Sequence, residues 1–280
     1  MRNQLPLIAS CVAIAGAGYW RLRHINPYRP VLERIELPSP TGAAALDGLR
    51  IAFVTDTHAG PFTSADDLRR GLALFDCEPI DLLLLGGDYV SESNLYAGPM
   101  ASALAPLVAR ATSGAFGVMG NHDLPLGVDR VRAELEAVGV TVLRNEHVVV
   151  EWHGAMLAIA GTDDTIVGSA DPTTAFAGIP DGVPILSLWH EADFAEDAAR
   201  LGAFAQLSGH THGGQVRLPF VGAIWLPPDG KRRDMGFFDV DGMTTYLSRG
   251  LGVYRPPVRF RCPPEVTLVT LRSRRSPAMR

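Results

Sequence analysis

The chain of 280 residues carries a formal net charge of −5 with no basic stripe, which argues against nucleic acid as its main partner. Its one lysine, Lys231, does not sit in a GxxxxGK[ST] loop and no GxSxG elbow occurs, so a P-loop nucleotide engine and a serine-hydrolase elbow are both excluded. Cys11, Cys77 and Cys262 are too dispersed for a zinc ribbon or a disulfide framework, leaving at most a single Cys77–Cys262 bridge.

The first element, Leu5 to Trp20, is sixteen residues without a charge, preceded by Arg2 and followed by Arg21, Arg23 and His24. A membrane-spanning helix needs about 20 apolar residues, with roughly 17 as the lower limit, so the run is marginal. Tyr19 and Trp20 beside arginines match an aromatic belt at a membrane surface. Ala15-Gly16-Ala17 offers small residues for signal cleavage, but it lies inside the apolar run. The preferred reading of 1–24 is therefore an uncleaved anchor, with a cleaved signal or a buried core helix as rivals. Arg21, Arg23, Arg29 and Arg34 outnumber Arg2 across the run, which leans the rest of the chain toward the cytoplasm and leaves export open. Asn26 to Pro40, with Pro27, Pro30, Pro38 and Pro40, reads as a stiff connector or an edge strand, so 25–46 is taken as a linker. The remaining stretch, 47–272, is long enough for one large domain with a well-buried core, followed by a flexible tail over 273–280.

Within that domain five short apolar runs each end in residues able to bind metal or move a proton. Leu49 to Thr55 leads into Asp56-Thr57-His58, and Asp81 to Leu85 into Gly86-Gly87-Asp88. Ala115 to Met119 leads into Gly120-Asn121-His122-Asp123, Val183 to Leu188 into Trp189-His190, and Ala203 to Leu207 into Ser208-Gly209-His210-Thr211-His212. Five of the eight histidines fall in these segments; His24, His147 and His153 do not and read as ordinary surface or loop residues. On extended backbone, positions i and i+2 point to one side, so His210 and His212 can aim into a common pocket. Helical spacing between the first runs, such as Ala65 to Phe75 behind a Ser64 to Asp67 capping box, predicts strand and helix in alternation. That pattern implies a largely parallel α/β sheet whose ligands sit outside the carboxyl ends of the strands. The five polar segments would then meet at one edge. After them Val216 to Leu218, Phe237 to Val240, Thr244 to Leu247 and Val266 to Leu271 look like strands that complete a second sheet.

Taken in order, DxH, GGD, GNHD, a lone His and GHTH resemble the calcineurin-like metallophosphoesterases over residues 47–272. The resemblance implies a four-layer αββα sandwich with two divalent cations between the sheets. Two cations about 3.5 to 4 Å apart can polarise a phosphoryl oxygen and generate hydroxide near neutral pH, and a ligand with two usable oxygens must link them. A carboxylate does this, and Asp88 is the natural bridge. By resemblance Asp56, His58 and His212 complete one metal with Asp88, and Asn121, His190 and His210 complete the other. Mixed nitrogen and oxygen donors suit zinc, manganese, iron or cobalt better than magnesium or calcium.

The resemblance makes His122 the catalytic residue that stabilises or protonates the departing oxygen, a role suited to an imidazole. In the protein-phosphatase branch an Asp three positions after the bridging Asp orients this histidine; here that position is Ser91, with Glu92 and Asp123 as substitutes, which weighs against a phosphoprotein phosphatase. Ser248 to Gly252 and Pro257 to Glu265 resemble the closing segment of a bacterial, often membrane-associated branch, which includes enzymes acting on UDP-2,3-diacylglucosamine and general phosphodiesterases. Arg249, Arg255 and Arg259 are candidates to grip a phosphate, or are plain surface arginines. Asp163 and Asp164 either line the site or cap a turn. Two functions follow: a monomeric, membrane-tethered two-metal phosphoesterase whose substrate is a phosphodiester or pyrophosphate, lipid-linked in the reading that fits the anchor; or a metal-binding cell-envelope module with little activity. All seven ligand positions are filled, which favours the enzyme.

Overall fold

The computed structural model describes residues 5–40 and 43–273, with side-chain environments described from residue 13 onward. Residues 274–280 of the expected tail, and Arg2 ahead of the apolar run, lie outside the described residues. Sheet one has the order β1 (Val31–Pro38), β14 (Glu265–Arg272), β2 (Arg50–Val54), β3 (Leu82–Leu85), β4 (Ala115–Gly117) and β5 (Val140–Val142). Sheet two has the order β12 (Gly236–Val240), β13 (Met243–Leu247), β9 (Ala203–Ser208), β8 (Ile185–Leu188), β7 (Ala155–Gly161) and β6 (Glu146–Trp152). A two-residue-per-strand hairpin, β10 (Arg217–Leu218) and β11 (Gly222–Ala223), stands apart from both.

Alternation along each strand builds the layers. Ile51 and Phe53 of β2 face sheet two and pack with Leu157, Ile159, Leu186 and Leu207. Their neighbours Ala52 and Val54 face the other way, against Leu68 and Leu72 of α2 (Ala65–Leu72), Met100 and Leu104 of α3 (Ala97–Val108), and Val131 and Leu135 of α4 (Val128–Ala137). On the far side of sheet two, Ala175 and Phe176 of α5 (Pro172–Phe176) and Ala195 and Ala198 of α6 (Ala195–Arg200) close the fourth layer. This is the αββα sandwich the motifs imply. The capping box also forms: Ser64 Oγ accepts from the Asp67 N–H at 3.2 Å, and the Asp67 carboxylate accepts from the Ser64 N–H at 2.9 Å. Strands β2, β3 and β4 run parallel in sheet one, as do β7, β8, β9 and β13 in sheet two.

The N-terminal region departs from the membrane reading. Leu5–His24 forms one 20-residue helix, α1, with Arg21, Arg23 and His24 in its last turn. Among the described residues no helix is long and apolar enough to cross a membrane, so a spanning anchor over 1–24 is not supported. The apolar run ends at Trp20, and its alanines, glycines and serine dilute its hydropathy. Nor is α1 a core helix, because Ile14, Tyr19 and Trp20 are exposed. Of the two readings of 25–46, the edge strand is the one formed: β1 pairs in parallel with β14 over eight residues, and Leu37 is buried between the sheets. Cys77 is exposed, Cys262 is buried and both are free, so the Cys77–Cys262 bridge is not made. If β1 belongs to the domain, Leu37→Ala lowers unfolding stability by about 2–5 kcal/mol in denaturant titration. A residue in a mere connector would change it by no more than about 0.5 kcal/mol.

Candidate metal centre

Both sheets deliver their polar segments to the same edge. Asp56 and His58 follow β2, Asp88 follows β3, Asn121 and His122 follow β4, His190 follows β8, and His210 and His212 follow β9. The loops are stitched together: the Asp56 N–H donates to the Gly87 carbonyl at 2.9 Å, and the Gly209 N–H donates to the His190 carbonyl at 3.0 Å. Asp56, His58, Asp88, His210 and His212 all adopt positive φ, between 42° and 71°. A side chain in that left-handed region costs energy and persists where the surroundings impose it for a purpose. The motif glycines make room for the polar groups. A Cβ on Gly87, itself at φ 92°, would lie 2.7 Å from the Gly120 nitrogen and 2.9 Å from His190 Nδ1, and one on Gly209 would collide with the Asp56 carboxylate.

The predicted ligands meet in two groups, Asp56 with His58 and His212, and Asp88 with His190 and His210. Asp88 reaches both. Its Oδ2 lies 3.4 Å from His58 Nε2 and 3.3 Å from His190 Nε2, while its Oδ1 accepts from the His122 N–H at 2.9 Å. In the first group His212 Nε2 lies 3.3 Å from Asp56 Oδ1. Such gaps are about the ligand-to-ligand edge of a tetrahedral shell with bonds of roughly 2.0–2.1 Å.

Unmet hydrogen-bonding capacity points to cations. His58 Nε2, His190 Nε2, His212 Nε2 and Asn121 Oδ1 are all buried with no hydrogen-bond partner, an expensive state unless an ion fills it. The opposite ring nitrogens are engaged: His58 Nδ1 lies 2.7 Å from Ser91 Oγ, His190 Nδ1 2.6 Å from the Gly86 carbonyl, and His210 Nε2 2.7 Å from the Pro228 carbonyl. These contacts orient each ring, and His210 is left to offer Nδ1. His212 is backed by the fully buried Arg259, whose Nη2 is 3.3 Å from Nδ1 and donates to the Gly252 carbonyl at 2.7 Å. Seven nitrogen and oxygen donors with these free atoms fit two divalent ions.

The electrostatics match that use. Burial, reinforced by neighbouring histidines, depresses His58 to about 3 and His210 to about 4, and drives His212 well below its usual range. Neutral imidazole is the form a metal takes. Burial lifts Asp56 to about 7. Burial alone would raise Asp88 and lower His190, but each outweighs that on the other, holding Asp88 well below the carboxylate range and His190 well above the imidazole range. Asp88 is thus held in the carboxylate form where the two groups meet.

The candidates around His122 sort differently from the sequence reading. Ser91 holds His58 rather than His122. Glu92 pairs with Arg255, and the Asp123 carboxylate accepts the N–H groups of Tyr89, Val90 and Gly120, so neither orients His122. The His122 ring instead packs on Tyr254, with centroids 4.5 Å apart. Of the three arginines, Arg259 is sealed behind His212 and Arg249 is paired with Glu33 and Glu265, so neither can grip a substrate. Arg255 is exposed and lines the cleft over the site. Asp163 pairs with Arg144 at 2.8 Å and Asp164 accepts the Val167 and Gly168 N–H groups, so both are structural. Tyr254 and the Gly86 and Pro228 carbonyls were invisible to motif reading, and Ser91 stood out only as the residue in place of an Asp that would orient His122. A carbonyl leaves no residue-type signal, and a tyrosine 132 positions after His122 in sequence becomes its neighbour only in the fold.

A four-layer sandwich that brings two such groups together at its strand ends defines a dinuclear metallohydrolase. The Calcineurin-like phosphoesterase profile matches residues 49–214, and the chain belongs to that family as a metal-dependent phosphoric ester hydrolase. It is 30% identical over 277 residues to the uncharacterized metallophosphoesterase YkuE of Bacillus subtilis, covering 98% of this chain and 96% of that protein. It is 33% identical over 275 residues to phosphodiesterase YaeI of Escherichia coli, covering 96% and 98% respectively. Among solved structures, NAD nucleotidase from Haemophilus influenzae is similar at a TM-score of 0.49 and 15% identity, over 73% of this chain and 46% of that one.

The Ser91 contact yields a test. Ser91→Ala frees the His58 ring and should weaken one metal site about 10- to 100-fold while sparing the other, read as biphasic manganese binding by calorimetry. Unchanged binding at both sites would remove Ser91 from the centre.

Proposed function

We propose that the protein hydrolyses a phosphodiester or pyrophosphate bond in a substrate that carries an apolar, lipid-like group. The observation that carries the two-metal part is the Asp88 oxygen shared between the two ligand groups, 3.4 Å from His58 and 3.3 Å from His190. When bound, two ions supply Lewis-acid polarisation of phosphorus and a nucleophile at neutral pH. Asp56, His58, Asp88 and His212 would hold one, and Asp88, Asn121, His190 and His210 the other. His122, partly exposed beside them, is placed to give a proton to the leaving oxygen while Tyr254 braces its ring.

The choice of diester rests on charge. A monoester phosphate carries about two negative charges near neutral pH, whereas each phosphate of a diester or of a disubstituted pyrophosphate carries about one. Among the described residues Arg255 is the one arginine lining the cleft, which suits the less charged phosphate. The cleft itself is about 230 Å³, and Ile166, Trp225, Pro227, Pro228 and Tyr254 give it apolar walls around the metal groups. Those walls support an apolar substituent, and the lipid-linked pyrophosphate UDP-2,3-diacylglucosamine is the specific candidate. The full-length relative named a phosphodiesterase supports the bond type.

The manganese-loaded full chain should cleave bis-p-nitrophenyl phosphate with a kcat/KM roughly tenfold or more above that for p-nitrophenyl phosphate. Turnover no faster than that of an Asp88→Asn control overturns the enzyme reading. His122→Ala should lower kcat about 10²- to 10⁴-fold with metal content and KM little changed. Thin-layer analysis of UDP-2,3-diacylglucosamine decides the finer point: cleavage supports it, and an intact lipid beside a cleaved simple diester rejects it.

A further inference from the structure

The hairpin β10–β11 and the residues after it expose Leu218, Phe220, Val221, Ile224 and Trp225. Contiguous apolar exposure on this scale marks an interaction surface rather than accident. Phe220 sharpens the point, because it is fully exposed at φ 65° on the hairpin tip. Glycine or asparagine would hold that turn more cheaply, and the fully exposed phenylalanine buries no apolar surface against the rest of the chain. Trp225, at the end of the stretch, is also a wall of the catalytic cleft, so whatever covers the hairpin abuts the cleft mouth.

A second observation identifies the cover. One short segment ties the hairpin to a basic hollow: the Phe260 N–H donates to the Gln215 carbonyl at 2.9 Å, the Arg217 N–H donates to the Phe260 carbonyl at 3.0 Å, and the adjacent Arg259 N–H donates to the Leu22 carbonyl at 3.1 Å. Arg21, Arg29 and Arg261 line that hollow of about 250 Å³ and are exposed. No Asp or Glu occurs in 14–30, 211–228 or 251–264, although the whole chain is net acidic. Apolar tips beside Arg21, Arg29 and Arg261, which have no salt-bridge partner among the described residues, match the two layers of an anionic bilayer surface, with acyl chains below and phosphates above. A second protein copy would bring its own basic collar against this one.

We infer that the β10–β11 hairpin is a membrane-docking wedge, with Phe220 and Val221 entering the acyl boundary of an anionic bilayer and Arg21, Arg29 and Arg261 contacting lipid phosphates. The docking is peripheral and independent of any spanning helix. It sets the cleft mouth at the lipid surface, and it stands whether or not the substrate is itself a lipid.

Co-sedimentation of the full chain with vesicles of equimolar phosphatidylcholine and phosphatidylglycerol tests the wedge. Wild type should partition onto these vesicles, weakly onto pure phosphatidylcholine, and less as salt rises. Phe220→Ser with Val221→Ser should reduce partition roughly tenfold or more, with unchanged thermal stability and unchanged turnover of bis-p-nitrophenyl phosphate. Arg29→Glu with Arg261→Glu should remove the salt-dependent part. The inference falls if wild type stays in the supernatant, or if Tyr19→Ser with Trp20→Ser abolishes binding while the hairpin variant binds normally. It also falls if the hairpin variant only converts a dimer to a monomer in size exclusion. Because soluble-diester turnover is scored separately, failure of docking and failure of the phosphodiesterase reading give different results.

Discussion

A single carboxylate oxygen, Oδ2 of Asp88, stands between two imidazole nitrogens that have no other partner. A buried carboxylate needs compensating positive charge, and two divalent ions held by these groups would supply it. Around this shared atom His58, His210 and His212 are held as neutral imidazoles, and the Asn121 amide oxygen and the Asp56 carboxyl group complete the set. The site is therefore built to receive charge, and its free nitrogens are aimed before any ion arrives.

The sandwich makes that convergence possible because neither sheet could do it alone. Sheet one contributes Asp56, His58, Asp88 and Asn121, and sheet two contributes His190, His210 and His212, each just beyond a strand end. Bringing so many polar groups into one buried place costs backbone strain, seen in the left-handed residues of the loops. The packed layers on both sides of each sheet fix those loops, and the absence of a Cβ at Gly87 and Gly209 lets them touch. Behind the ligands, Ser91, Gly86 and Pro228 set the ring orientations, so the groups that tune the site belong to two separate loops, one after β3 and one between β11 and β12.

The strands that carry the ligand candidates were legible because they write themselves into residue type and period: apolar runs of five to seven residues, each followed within three residues by a ligand candidate; Val216 to Leu218 and Val266 to Leu271, read as strands of the second sheet, instead lie in the separate hairpin and in sheet one. The helix after Ser64 was legible for the same reason, since a capping box is local. What escaped was non-local. Glu92 and Asp123 looked like partners for His122 by proximity in sequence, yet one turns to Arg255 and the other binds backbone amides. Pro-rich residues 25–46 admitted a connector as readily as an edge strand, and only pairing with β14, more than 200 residues away, selects the strand. The apolar N-terminal run reads as an anchor by charge and aromatic flanks, but its alanines and glycines leave helix α1 too weakly apolar to span. Val216 to Leu218 looked like a strand of the second sheet but belongs to the exposed hairpin, because an apolar strand looks the same in sequence whether it is buried or not.

The shared Asp88 oxygen implies two ions close enough to feel one another. Electron paramagnetic resonance of the manganese-loaded chain reads this directly. Two manganese ions per chain with an exchange-coupled spectrum are expected, replaced by the spectrum of isolated ions in Asp88→Asn. One ion per chain, or two uncoupled ions in the wild type, would contradict it.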